Sequence, residues 1–146
     1  MTIDCFLDTN VLVYAVVSDP TEAFKRDIAL ELVDERDFAI SAQVLQEFHV
    51  TVTRKLEHPI GPAKAMEWVE QWAAFPCVAI DSALVMIAME LGARFRISDW
   101  DAAILAAATR AGAAVVFSED LNHNQRYDEV QVINPFRGAS AVHDAD

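Results

Sequence analysis

The sequence lacks the features that define several common classes of protein. Two cysteines occur in 146 residues, which is too few for a disulfide framework. No apolar run approaches the roughly 20 residues of a membrane-spanning helix, and no basic stretch followed by a signal core opens the chain. These absences predict a cytoplasmic protein without a membrane partner, in which Cys5 and Cys77 are buried free thiols.

Motifs for several kinds of catalysis are missing as well. The chain has no Ser-His-Asp set, no glycine-rich phosphate loop and no zinc-ligand spacing. Neither cysteine has a neighbouring base that would activate it as a nucleophile. We assign no site role to the histidines, which lack paired ligand spacing: His49, His58, His123 and His143.

Positive charge is scarce. The chain has 11 Lys and Arg against 23 Asp and Glu, a formal net charge of −12. This is unfavourable for a protein that binds nucleic acid, because affinity for phosphate usually comes from Lys and Arg. Either the partner is not nucleic acid, or a metal ion supplies positive charge, or the basic residues cluster locally.

Short apolar segments alternate with longer helical patterns along the chain. The strand candidates are residues 3–7, 38–40, 77–80, 114–117 and 130–133. The helix candidates are residues 11–17, 21–36, 42–56, 62–74, 83–91 and 99–111. This alternation predicts an α/β fold with right-handed βαβ units and a mostly parallel sheet, and the nearly continuous apolar character of the first four strands predicts that both their faces are covered.

The chain is predicted to form one domain. Hydrophobic residues make up 53% of it, and no repeat, low-complexity block or linker divides it. We expect a single domain over residues 1–137 and a flexible tail over 138–146. Gly92 and Gly112 are expected to end helices, and the helix at 83–91, apolar on nearly every face, is expected to be buried or to face a partner.

Acidic residues recur where strands end and helices begin. The candidates are Asp8, Glu47, Asp81, Asp99, Asp101, Glu119 and Asp120. Each alone has a simpler explanation as a helix cap, a turn residue or a solvated charge. Because the carboxyl ends of parallel strands share one edge, their crowded charges would need a cation, and oxygen-only ligands favour Mg²⁺ or Mn²⁺. The residues alone leave all seven open.

Five segments in order resemble the PIN-domain family, and in particular the VapC-type ribonuclease toxins of type II toxin–antitoxin systems. They are residues 6–12 with Asp8-Thr9-Asn10, 41–48 with Glu47, 98–104 with Asp101, 116–122 with Ser118 and Asp120, and the closing strand at 132–136. The match covers nearly the whole chain. It selects Asp8, Glu47, Asp101 and Asp120 as catalytic and metal-binding residues, with Asn10 and Ser118 in support, and it implies that no acid of the set is missing.

The resemblance implies a three-layer α/β/α sandwich and a Mg²⁺- or Mn²⁺-dependent endoribonuclease. It also implies a homodimer and a cognate antitoxin, whose helix lies along the toxin and places a basic side chain in the acidic site. Metal ions would offset the negative charge of the site, while a few basic side chains grip the RNA. The candidates for that grip are Arg54, Lys55, Arg94, Arg96 and Arg126.

Two other functions belong to different classes. A non-catalytic PIN module could bind RNA or a partner without cleaving anything, and binding that survives chelation without product would reveal it. A phosphotransfer or phosphatase domain could use Asp8 as its nucleophile. Haloacid-dehalogenase-like enzymes need a second acid two residues on, where this chain has Asn10, and receiver domains need a lysine near the last strand, which this chain lacks.

Overall fold

The computed structural model describes residues 2–17 and 19–137. Its strands are β1 (Cys5–Leu7), β2 (Phe38–Ser41), β3 (Cys77–Val78), β4 (Val115–Phe117), β5 (Arg126–Tyr127) and β6 (Val130–Ile133). They form one sheet in the order β3-β2-β1-β4-β6-β5. Neighbouring strands run parallel except β5 and β6, so the predicted mostly parallel sheet is confirmed.

Helices cover both faces of this sheet and complete the predicted three-layer α/β/α arrangement. They are α1 (Thr9–Val16), α2 (Ala23–Glu35), α3 (Ala42–Val50), α4 (Pro62–Ala73), α5 (Ser82–Phe95) and α6 (Asp99–Ala111). A 3-10 turn at Pro20–Glu22 precedes α2, and a π-helical turn at Thr51–Lys55 extends α3. Helix α1 packs against α2 and α3, and α3 against α4, while α6 packs against α5 and the strands.

The centre of the sheet is the centre of the core. Strand β1 lies between β2 and β4, with Phe6 opposite Ala39 on one side and Val116 on the other. All three residues are at most 1% exposed. Helices cover both faces of β1, so the side chains on each face are buried, and this explains why the strand is apolar throughout. Fully burying one large apolar side chain stabilises the fold by roughly 1.5–3 kcal/mol.

The edge strands depart from the sequence-based predictions. Strand β3 is shorter than predicted and lies at the edge of the sheet, so Cys77 is exposed and the prediction of a buried thiol is wrong there. Cys5 is buried as predicted, and burial raises the pKa of its thiol to about 11. Strand β5 was not predicted, because two residues carry no periodicity to read.

One of the two predicted helix-ending glycines has another role. Gly112 ends α6 with φ +80°, as expected. Helix α5 instead continues past Gly92 to Phe95 and ends at Arg96, which adopts φ 58°. A Cβ on Gly92 would lie 3.1 Å from Oδ1 of Asp99 and 3.2 Å from the carbonyl oxygen of Ile97. Gly92 therefore allows the start of α6 to approach α5 closely.

Helix α5 is only half buried. Leu84, Ala88 and Leu91 face the core, whereas Met86 is 63% and Met89 54% exposed. An exposed apolar helix face is typical of a contact surface. No helix in residues 2–17 and 19–137 is long and apolar enough to cross a membrane. The predicted tail, 138–146, lies outside the described residues.

Candidate active site

The strand order creates a crevice between β1 and β4. From β1 the chain continues outward to β2 and β3, then crosses back through α5 and α6 to β4 on the other side of β1. Ligands of open parallel sheets bind at such a reversal, beyond the carboxyl ends of the strands. Asp8 directly follows β1 and Ser118 directly follows β4, and the Asp8 backbone N–H donates to the carbonyl oxygen of Phe117 at 3.1 Å.

Asp8 is 7% exposed and is the only buried acid in the described residues. Its Oδ2 accepts a hydrogen bond from the Ser118 hydroxyl at 2.7 Å, and its Oδ1 accepts from the Thr9 backbone N–H at 2.7 Å. Burial, together with the charges of Asp120 and Glu47, raises its pKa to about 6, although both hydrogen bonds act in the opposite direction. Asp8 is thus held in place among like charges.

Ser118 connects Asp8 to the loop that carries Asp120. Its oxygen accepts hydrogen bonds from the backbone N–H of Asp120 at 3.1 Å and of Leu121 at 3.4 Å. Asn10 spans the same gap, because its amide donates to Oδ2 of Asp120 at 3.2 Å and its Oδ1 accepts from the Glu119 N–H at 3.2 Å. The two supporting residues of the sequence analysis therefore join the ends of β1 and β4.

Glu47 reaches the crevice from α3. The Thr9 hydroxyl donates to its Oε2 at 3.0 Å, and the Gln43 amide donates to its Oε1 at 3.1 Å. Gln43 also donates to the carbonyl oxygen of Trp100 at 3.2 Å. Gln43 thereby ties α3 to the first turn of α6, a role that the sequence pattern did not reveal because it depends on two elements meeting.

Asp101 lies in the first turn of α6. The Ser98 hydroxyl caps this helix and accepts from the Asp101 N–H at 3.0 Å. Asp101 is partly exposed and lines a pocket of about 860 Å³ together with Glu47 and Asp120. Asp8 is buried and is close enough to Glu47 and Asp120 for their charges to raise its pKa.

The other three candidate acids have different partners. Asp81 caps α5 by accepting from the Leu84 N–H at 2.8 Å, and it pairs with Arg110 at 3.0 Å. The Asp99 carboxylate lies against Gly92, away from the pocket lining. Glu119 turns toward α1 and α2, where it accepts hydrogen bonds from Tyr14 and Lys25. None of these three acids lines the pocket.

A cluster behind the Asp120 loop was missed by sequence reasoning. The Lys25 ammonium group donates to Glu119 at 2.7 Å and to the Tyr14 hydroxyl at 3.1 Å, and that hydroxyl donates to Glu119 at 2.7 Å. Hydrogen bonding to Glu119 and Tyr14 raises the pKa of Lys25 in spite of burial. The three residues are distant in sequence, so no local pattern predicts that they meet. Only a comparison of related sequences, in which paired charges change together, could have revealed the cluster.

The acids fit a hard divalent cation bound together with water. No three His, Cys, Asp or Glu side chains within residues 2–17 and 19–137 converge as a ready-made metal cage. Mg²⁺ does not need one, because it usually keeps several waters and binds one or two carboxylates plus phosphate oxygens. Burial is the main cause of the raised pKa of Asp8, and the charges of Asp120 and Glu47 add to it. A nearby cation would favour the ionised carboxylate and so act against both causes.

The predicted basic residues differ in how free they are to meet a ligand. Lys55, at the end of the π-helical turn, lines the pocket and is exposed. Arg94 is held instead by Asp128, at 2.8 and 2.7 Å, and by Glu90 at 3.1 Å. Lys55 is therefore better placed than Arg94 to contact a bound polyanion.

A mostly parallel sheet with carboxylates at its reversal point defines a class of α/β domain whose candidate ligand site lies beyond the carboxyl ends of the strands. Within that class, the chain belongs to the PIN domain family, whose model matches residues 5–129. The resemblance read from the five sequence segments is thus confirmed. No curated protein matches the chain.

Solved structures with the same fold are VapC-type toxins and their complexes. Mycobacterium tuberculosis VapC20, described as a sarcin-ricin loop cleaving toxin, is 19% identical and superposes with a TM-score of 0.64 over 80% of this chain and 92% of its own. A toxin–antitoxin complex from Klebsiella pneumoniae is 17% identical, with a TM-score of 0.65 over 90% and 98%. VapBC2 from Rickettsia felis, bound to promoter DNA, is 18% identical, with a TM-score of 0.61 over 89% and 97%.

Proposed function

We propose that the protein is a metal-dependent endoribonuclease and the toxin of a toxin–antitoxin pair. The observation that carries the proposal is the buried Asp8 at the β1–β4 crevice, held by Ser118 and crowded by Asp120 and Glu47. A protein that keeps a carboxylate buried among like charges has a use for a cation at that position. Membership of the PIN family supports the same activity.

Asp8 and Asp101 would hold Mg²⁺ or Mn²⁺, with Glu47 and Asp120 beside them. A bound divalent ion supplies a more acidic water and stabilises charge on the phosphate oxygens during hydrolysis. The chain supplies the positioning: Ser118 and the Thr9 N–H fix Asp8, and Asn10 orients Asp120. The pocket of about 860 Å³ would receive the RNA, with Lys55 on its wall.

The test is cleavage of a panel of structured RNAs by purified protein with Mg²⁺ or Mn²⁺. Asp8→Asn is expected to lose at least about a hundredfold in rate, because removal of one essential electrostatic group costs at least that much in other enzymes. Asp81→Asn is the matched control, since Asp81 follows a strand but pairs with Arg110 outside the pocket, and it should cleave normally.

Asp8→Asn that cleaves as fast as the parent would refute the site assignment. RNA binding that survives chelation and never gives product would instead identify a non-catalytic binding module. Chelation is otherwise expected to abolish cleavage, and added Mg²⁺ or Mn²⁺ to restore it, which a gel of labelled RNA would follow.

The partner we propose is an antitoxin that lays a helix along this chain and places a basic side chain in the pocket. The acids lining that pocket favour a positively charged side chain. Of the similar structures, one is a toxin–antitoxin complex and another is VapBC2 bound to promoter DNA. Co-purification with the product of the neighbouring reading frame, lost in Glu47→Lys, would support it. A neighbouring frame whose product neither binds nor inhibits would contradict it.

We also propose a homodimer formed through the exposed apolar face of α5. Val85, Met86 and Met89 are adjacent on that face and are 44–63% exposed. An uncharged patch can pair with its own copy about a two-fold axis without charge complementarity. Light scattering should show a dimer for the parent and a monomer for Met86→Glu, whereas Met66→Glu, changed at an exposed position of α4, should remain dimeric. A parent that is monomeric at all concentrations would refute the proposed dimer.

The cytoplasmic location of the protein stays a prediction.

A further inference from the structure

Trp100 is the most exposed large apolar side chain in the described residues. It is 72% exposed and directly precedes Asp101 in the first turn of α6. Trp68 and Trp72 behave differently, since their rings stack with centroids 5.7 Å apart and Trp72 is buried. The fold therefore gains little from the indole of Trp100, because most of its apolar area stays in water.

The position of Trp100 is fixed even though its ring is not covered. Its carbonyl oxygen accepts a hydrogen bond from the Gln43 amide at 3.2 Å, and the same amide donates to Glu47. Ser98 caps the helix two residues earlier. Trp100 thus lines the same pocket as the acids, with an exposed ring on a backbone tied to both α3 and α6.

The surroundings of the ring favour a nucleobase over other ligands. The Trp100 face is uncharged and flat, and the pocket is also lined by Glu47, Asp101 and Asp120, by Lys55 and by several apolar side chains. Three acids against one lysine disfavour an isolated phosphate, but an RNA strand whose phosphate meets a cation at the acids would bring its bases alongside. Aromatic rings are the usual platform for bases that have left a helix.

We propose that Trp100 is a base-stacking residue that holds one unstacked nucleobase of the RNA next to the phosphodiester bound at the acids. This deepens the proposed function and rests on RNA being the ligand. A base can stack on the ring only when its own face is free, so the bound nucleotide lies in a single-stranded or looped segment. Trp100 then determines the register of the strand in the pocket and takes no part in proton transfer.

Binding is the primary measurement, because it does not require cleavage. The probe is a fluorescently labelled single-stranded RNA oligonucleotide, titrated with the parent protein or a variant at position 100 while Ca²⁺ replaces Mg²⁺, since Ca²⁺ takes the same oxygen ligands in a looser geometry. Trp100→Ala should bind about ten- to a hundredfold more weakly, the usual effect of losing one stacked base. Trp100→Phe should retain most of the affinity, Trp100→Leu should not, and Met66→Ala, exposed on α4, should match the parent.

An RNA series with one abasic nucleotide at each position identifies the stacked base. At one position the missing base should weaken binding to the Trp100 protein by about the same factor as Trp100→Ala, and the two changes together should cost no more than either alone. Full additivity at every position would overturn the proposal. So would unchanged RNA binding by Trp100→Ala, or a defect confined to antitoxin binding.

Kinetics separate this proposal from the proposed activity. If the parent cleaves RNA, Trp100→Ala should raise KM while kcat changes little, because stacking acts on the bound strand and not on the acids. A loss in kcat alone with unchanged binding would refute the stacking role. If the parent cleaves nothing, the nuclease proposal fails, while the binding and abasic series still decide whether Trp100 stacks on a base.

Discussion

Replacing Asp8 with asparagine should make the metal-free protein more stable while removing its proposed activity. The pKa of Asp8 rises from 3.8 to about 6 on folding, first because of burial and then because of Asp120 and Glu47. Between these two values the folded state binds more protons than the unfolded state. The free energy of unfolding therefore falls as the pH rises through this window.

The size of the effect follows from the same values. A rise from 3.8 to about 6 corresponds to about 3 kcal/mol of stability lost once the pH is above 6. The asparagine side chain cannot ionise, and it keeps an oxygen that can accept from the Thr9 N–H. Asp8→Asn should therefore match the parent near pH 4 and exceed it by up to about 3 kcal/mol near pH 8.

Urea unfolding in the presence of EDTA, followed by circular dichroism at several pH values, measures this difference. Asp34→Asn is the control, because Asp34 is an exposed residue of α2, and it should change stability by less than about 0.5 kcal/mol at every pH. Added Mg²⁺ should narrow the gap, since ligand binding stabilises the folded parent. The prediction would be wrong if Asp8→Asn were no more stable than the parent at pH 8, or if the difference in the free energy of unfolding were the same at all pH values.

Three further changes test other contacts. Ser118→Ala should lower the free energy of unfolding in urea by about 2–3 kcal/mol, because it removes the hydrogen-bond donor to the Asp8 carboxylate. The loss should be smaller in an Asp8→Ala background, and a loss below about 0.5 kcal/mol in the parent background would contradict the prediction. Lys25→Met should lower the free energy of unfolding by about 1–2 kcal/mol and weaken cleavage, since the Lys25 side chain is 16% exposed and holds Glu119 beside the Asp120 loop. A double-mutant cycle with Glu119→Gln that shows no coupling energy would contradict this role of the ion pair. Gly92→Ala should lower Tm by several degrees, at about 1–3 kcal/mol for overpacking, and unchanged melting by calorimetry would show that α6 can move aside.

Much of the fold could be predicted because its signals are local. The apolar run of β1 and the helical patterns that follow it depend on residues a few positions apart. Helix ends are local too, so Gly112 was correctly predicted to end α6. Where the outcome depended on position in the sheet the prediction failed, as for Cys77, because an apolar run does not say whether its strand is central or at the edge.

The candidate site divides in the same way. Local sequence was enough to predict that acids follow strands and open helices, since these placements depend only on neighbouring residues. Physical reasoning from the sequence could not choose among the seven acids, and the family resemblance made that choice. In the structure, Glu47, Asp101 and Asp120 line one pocket, Asp8 is buried within reach of the charges of Glu47 and Asp120, and Asp81 pairs with Arg110 elsewhere.

Which of those acids is buried, and which aromatic ring is left exposed, depends on the three-dimensional packing of the chain. Asp8 is buried because β1 lies between two other strands and Ser118 from β4 covers it. Trp100 is exposed because the first turn of α6 opens onto the pocket instead of the core. Both outcomes depend on strand order and on helices meeting across the sheet, and chain-local periodicity carries no information about either.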